Sequence, residues 1–297
     1  MTSNCADLDK LYEKDPNLKR EDVQTLKEWI KKQPHLPELK EMQLVIFLHS
    51  CYYRIEPTKT ALDSYFTVKT HCPDLFEALS QDVFKRTLSV GFLNILPKRT
   101  PENYAVMLMK LIDFKTDNFN FINMIRSINM ISTLHLHQYG YEDGVVVLFD
   151  MKGFTLGHLT RINLTAFKKA LYHLQEGAPV RLKSIHFINV VAFIDKVVAM
   201  VKPFLKQELY DMLNFHSNSV ETLYKYVPKE CLPKDYGGEA PSVNALNETC
   251  IKNVINNFDF FAWHDSQKVD ESKRYGKPKN ASTIFGVEGT FKKLEID

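Results

Sequence analysis

Few residues of this 297-residue chain stand at spacings that perform chemistry. Phosphate binding at a helix start needs a glycine-rich turn after a strand. Neither Gly-x-Gly-x-x-Gly nor a P-loop occurs, and Gly153 and Gly157 flank Phe154 and Leu156 instead of opening a nest of amides. A Gly-x-Ser-x-Gly elbow and a His-Glu-x-x-His pair, the marks of hydrolases and metalloproteases, are missing too. His135 and His137 lie two apart, so a helix turns them to different faces and a shared metal is not expected. Asp150 ends an apolar run, where carboxylates often act in α/β enzymes, but capping the following turn is the commoner role. No metal, cofactor or catalytic residue is expected, although a Ser/His/Asp set assembled only by folding stays open.

The totals narrow the classes further. Net charge is +2, too balanced for nucleic acid as a main partner, and 44% hydrophobic with 25% charged residues is ordinary for a globular chain. The 5 cysteines, Cys5, Cys51, Cys72, Cys231 and Cys250, are odd in number and form no Cys-x-x-Cys pair, so free thiols in a reducing compartment are expected. The start is polar and acidic, unlike a secretory signal, and no apolar run reaches the ~18 residues that span a bilayer. A cytoplasmic monomer is the expectation.

The elements that would carry any site are clearer. Gly144-Val-Val-Val-Leu-Phe-Asp150 reads as a strand covered on both faces and stopped by a turn. A helical pattern from Leu164 to Glu176, a second strand-like run around Ile185–Asn189 and an apolar helix from Phe193 to Val201 follow. That alternation implies an α/β fold with parallel pairing through right-handed crossovers. Upstream, Val23, Leu26, Trp29 and Ile30 make a helical stripe, Leu44 to Tyr53 is a denser apolar helix, and Pro57 begins a third, so the first 78 residues read as a helical domain. Residues around Gly91–Pro97 read as a connector, Tyr104–Leu111 as the first strand and Phe119–Tyr139 as a long helix. Beyond residue 241 apolar spacing weakens, which suggests an extension packed through Phe258, Phe260, Phe261 and Trp263, with a mobile end. The helix from Phe193 to Val201 is apolar on most sides; it is either plain core or the wall of an apolar cavity.

Several blocks resemble the CRAL-TRIO family of lipid-transfer proteins, in particular its tocopherol transfer and retinaldehyde-binding branch. They are the strand-turn Gly144–Phe154, the block Pro179–Asn189, Val201-Lys-Pro-Phe-Leu205, His216 with Asn218, and Leu232-Pro-x-x-Tyr-Gly-Gly238. The resemblance implies three parts: a helical domain over 1–78, a lipid-binding domain over 79–240 whose mostly parallel sheet floors a hydrophobic cavity under a helical lid, and an extension over 241–297. It implies ligand contacts from the lid residues Phe193, Ile194, Val197, Val198 and Met200. Strand residues Val145, Val147, Phe149, Ile185 and Phe187 would line the floor, with Leu174, Val180 and Ile131 at other pocket positions and Ser127 as a hydroxyl to orient a polar end. Arg181, Lys183, Lys196 and Lys202 would face head groups or membrane. Glu208 and Met212 stand where relatives that bind phosphoinositides carry bases, which weakens that part of the pattern. The implied activity is non-catalytic: a carrier of a small hydrophobic molecule such as tocopherol, a retinoid or a carotenoid, in transient contact with membranes. A lipid-responsive regulator or a phospholipid transfer protein is the alternative.

Overall fold

The computed structural model describes residues 6–217 and 220–285; Cys5, Asn218 and the last residues of the extension lie outside them. Five helices open the chain: α1 (Leu8–Lys14), α2 (Arg20–Lys31), α3 (Glu41–Ser50), α4 (Ile55–His71) and the short α5 (Pro73–Phe76). The predicted stripe of α2 buries Val23 and Leu26 against Leu44, Phe47 and Leu48 of α3 and Leu62 and Phe66 of α4. Val269, far along the chain, completes that core. Beside it Asp63 of α4 accepts hydrogen bonds from Arg274 Nη1 at 2.6 Å and from Lys279 Nζ, and pairs with His35 Nε2 at 2.9 Å. The extension is thus tied to the helical domain by apolar contact and charge together.

Helix α6 (Gln81–Val90), capped by the Ser80 hydroxyl, runs into strand β1 (Gly91–Ile95). The expected connector is therefore an edge strand, antiparallel to β2 (Tyr104–Leu111). Its alternation explains this: Phe92 enters the core on one face of the sheet and Leu93 the core on the other. Helix α7 (Phe121–Tyr139) begins where the Asn120 side chain accepts from the Asn123 amide and ends at Gly140, with φ +78°. Strand β3 (Gly144–Asp150), α8 (Leu156–Thr160), α9 (Leu164–Glu176), β4 (Leu182–Ile188), α10 (Ile194–Val201), α11 (Gln207–Tyr210) and β5 (Leu213–His216) follow. The sheet has five strands in the order β1-β2-β3-β4-β5, parallel from β2 to β5. β5 was not foreseen, being four residues long with no apolar run of its own.

After residue 241 the chain is more regular than its composition suggests. Val243, Leu246, Cys250 and Val254 recur at helical spacing and are buried in α12 (Val243–Asn256). Asn94 Nδ2 donates to the Leu246 carbonyl at 3.0 Å and Asn247 Nδ2 to that of Leu88 at 2.8 Å, which fixes α12 against β1 and α6. Helices α13 (Asp259–Ser266) and α14 (Ala281–Phe285) complete the described chain.

The two faces of the sheet differ. Val106 and Leu108 of β2 and Val146 and Leu148 of β3 pack densely against Leu223, Val227, Leu232 and Leu246. On the other face Val145, Val147 and Phe149 are only half-buried, one residue out of step with their buried neighbours. Strand alternation sends the two sets to opposite sides. Leu93, Met107 and Met109 on this second face pack against Met124 and Leu134 of α7, but toward β3, β4 and β5 it meets a void.

Candidate functional site

A cavity of about 580 Å³ lies over that face. Its floor is an aromatic ladder across three neighbouring strands. Phe149 of β3 stacks on Phe187 of β4 with centroids 5.1 Å apart, and Phe187 on Phe215 of β5 at 5.0 Å. The strand register places the three opposite one another, so rings stack at the ~4.8 Å strand spacing. Phe215, 39% exposed, brings the ladder toward the mouth. Sequence reasoning picked Phe149 and Phe187 but passed over Phe215, because no strand was expected there. Val145, Val147, Ile185 and Val180 also line the cavity, as does Leu174 of α9.

The lid is α10, which turns Ile194, Val197, Val198 and Val201 to the cavity. None of its residues is buried, since one side meets the void and the other solvent. Phe193 caps its N-terminal end and leans on Phe154 at 6.3 Å, and neither Phe193 nor Met200 is part of the cavity wall. Ser127 and Ile131, both buried on α7, are also outside the wall, and the Ser127 hydroxyl has no hydrogen-bond partner among the described residues.

The far wall comes from residues that sequence reasoning did not assign to the site. Phe47 of α3, Tyr65 of α4, Phe76 of α5, His173 of α9 and Phe260, Phe261 and Trp263 of α13 close it. Gly177 lets α9 press on α4: a Cβ there would meet the Tyr65 amide nitrogen at 2.9 Å, too close for any other residue. Tyr65 Oη lies 3.1 Å from His264 Nε2, and the Tyr65 ring is 5.3 Å from that of His173. Asp265 Oδ2 accepts from the Ala78 amide at 2.9 Å. Burial pushes the His173 imidazole down to about 3 and lowers that of His264, so both are neutral near pH 7. Lys69, buried behind His264, is pushed down to about 7 by the same cause.

The earlier chemical candidates find structural partners. Asp150 accepts from Tyr236 Oη at 2.6 Å, Asn189 Nδ2 at 2.7 Å and the Lys152 amide at 3.0 Å, locking the ends of β3 and β4 to the turn after them. Burial and the Asp150 charge raise the Tyr236 phenol well above its ordinary range, so it stays a donor to that carboxylate. His135 pairs with Glu142 at 2.6 Å, whereas His137 stacks on Phe260 at 4.6 Å at the cavity wall; the two do diverge. Arg181 donates to the His49 carbonyl at 2.7 Å and lies over the Tyr52 and Tyr53 rings. Lys183 shares Tyr52 at 5.6 Å. Lys196 is exposed on the lid, and Lys202 follows the lid, 4.9 Å from the Tyr210 ring. Among the described residues no helix is long and apolar enough to cross a membrane.

Residues 90–238 match the family model for the CRAL/TRIO domain, and residues 15–86 that for the Pinta-like UBA domain. The human protein named alpha-tocopherol transfer protein-like is 28% identical over 246 residues, covering 82% of this chain and 72% of that one. Clavesin-1 of Xenopus laevis is 24% identical over 231 residues, covering 76% and 70%. The solved structure of Sfh5 superposes with a TM-score of 0.48 at 14% identity, over 78% of this chain and 91% of that one.

Proposed function

The chain belongs to the CRAL/TRIO family, and from that premise we propose that it is a non-catalytic carrier. It takes one small, mostly apolar lipid from a membrane, encloses it over the β3–β5 floor and releases it at another membrane. The observation that carries this reading is the void itself: about 580 Å³ lined by half-buried Val, Ile, Leu and Phe side chains, under a helix with no buried residue. Pockets of some 300–1,000 Å³ suit a single compact ligand. Enclosing on the order of 400 Å² of a lipid's apolar surface contributes about 10 kcal/mol gross at 25 cal/mol per Å². Ordering costs bring that down to an ordinary affinity.

Release follows from the lid, because a helix held only along one apolar edge can swing away at a lipid surface that solvates the same edge. The name of one relative, alpha-tocopherol transfer protein-like, supports tocopherol-like cargo. Lys196 and Lys202, beside the lid, would add weak attraction to anionic membranes. The test is native mass spectrometry of the purified protein, followed by transfer of labelled lipid between donor and acceptor vesicles. Co-purified lipid at one per chain and accelerated transfer are expected; a protein that neither retains lipid nor speeds transfer removes the reading.

A further inference from the structure

The void is apolar nearly throughout, yet one imidazole on its wall has no hydrogen-bond partner among the described residues. His173 Nδ1 is sealed from solvent and makes no hydrogen bond. The ring lies between Tyr65 at 5.3 Å and Phe76 at 4.6 Å, so neither neighbour offers it an in-plane acceptor. Nε2 makes no hydrogen bond either, but it is not sealed, and the remaining surface of this half-buried side chain lies on the cavity wall. Asp265 Oδ1 at this end also makes no hydrogen bond, facing His264 Nδ1 at 3.5 Å, but other polar groups beside the ring are engaged. Tyr65 Oη is held by His264, Thr133 Oγ1 donates to the Asn129 carbonyl at 2.6 Å, and Asn129 Nδ2 donates to that of Leu75 at 3.0 Å. Nε2 is thus the ring nitrogen left open toward the cavity, and a cargo that covered it without a hydrogen bond would strand a second polar atom, at a cost of about 1–3 kcal/mol.

We propose that His173 Nε2 is the polar anchor of the cavity and selects a lipid with a neutral hydroxyl head. This rests on the carrier reading above and names the ligand class. A hydroxyl suits the ring in either tautomer: it accepts from Nε2–H or donates to the bare nitrogen. The neutral tautomer with its proton on Nε2 is the better one, because it leaves only a lone pair, not an N–H, stranded at Nδ1. A hydrocarbon offers nothing to the ring. An anionic head is disfavoured by the same surroundings that keep the imidazole uncharged, and by the carboxylate of Asp265 at this end of the wall, 3.5 Å from His264 Nδ1. Ser127, the anchor expected from sequence, is outside the wall.

The experiment loads the full chain from phosphatidylcholine vesicles doped with geranylgeraniol, geranylgeranic acid or phytane, which share a chain and differ in the head. Bound lipid is then quantified by mass spectrometry. The wild type should take the alcohol in preference to both others. His173→Leu should lower alcohol loading about tenfold, near 1.4 kcal/mol, and leave phytane unchanged, while His173→Gln, which keeps donor and acceptor atoms, restores part of the preference. Ser127→Ala should change nothing. Equal loss of alcohol and phytane in His173→Leu would make the ring a wall and overturn the anchor. So would loss of selectivity in Ser127→Ala alone, or a wild type that binds all three alike, and either result leaves the carrier reading standing. A wild type that binds none of them rejects the carrier reading itself.

Discussion

Helices α3 and α10 are similarly apolar and end up in opposite circumstances. In α3 the run from Leu44 to His49 is buried, with Leu48 at 0% exposure, because α2 and α4 flank it and Arg181, just ahead of β4, bonds the His49 carbonyl. In α10, Ile194, Val197, Val198 and Val201 face a void and the opposite side faces solvent, so nothing is buried. Side-chain hydrophobicity is a property of the residue, but burial belongs to the neighbours it finds. One helix therefore holds the fold together and the other is free to serve two environments.

The sharpest way to break this comparison is a pair of aspartates. Leu48→Asp should abolish cooperative folding, since it removes a core side chain and desolvates a carboxylate, each costing several kcal/mol. Val197→Asp should lower the unfolding free energy from urea titration by less than about 1 kcal/mol, because the site is not in the packed core, yet cut lipid loading tenfold or more. Equal unfolding by both would make α10 ordinary core.

Acid should act on the body and spare the lid. Burial holds His49 and His173 at about 3, and burial together with neighbouring His216 holds His186 at about 4, all below the ordinary value of 6.5. Between those values and 6.5 the unfolded chain binds protons that the folded chain does not. Their contribution is complete above pH 6.5 and declines as pH falls, by about 1.4 kcal/mol per unit for each histidine. Urea midpoints at pH 7, 6 and 5 should drop accordingly, and His173→Leu should flatten the slope by one histidine's share. An unchanged slope in that variant would mean the ring is not held neutral. No histidine lies on α10, so lid opening itself should not respond over this range.

The smallest effect belongs to the lysines. Lys196→Ala and Lys202→Ala should each weaken binding to phosphatidylserine vesicles by no more than about 1 kcal/mol, and the loss should vanish in high salt. Flotation at two ionic strengths measures it. Salt-resistant binding would point to insertion of apolar groups rather than attraction by these charges.

Much of the architecture was legible from periodicity. The run from Gly144 to Asp150, the helix from Leu164 and the strand around Ile185 carry their own patterns, and local backbone preference follows residue type closely enough to place them. So does the alternation that sends Val145, Val147 and Phe149 to one face. Short β5 and edge strand β1 escaped because four or five residues hold too little pattern until a neighbouring strand supplies hydrogen bonds. Helix α12 escaped for another reason: its apolar positions are diluted by Asn, Thr and Lys, and only the β1 and α6 surfaces reveal which face is inner.

The chain by itself determined which residues are apolar, which segments become strands and helices, and, through motif order, which family it resembles. Tertiary structure alone decided that the second face of the sheet meets a void toward β3, β4 and β5, that α13 and the α4–α9 contact at Gly177 close its far end, and that His173 rather than Ser127 stands on the wall. A cavity is made by what fails to fill a space between distant segments, and no local window of sequence records that failure.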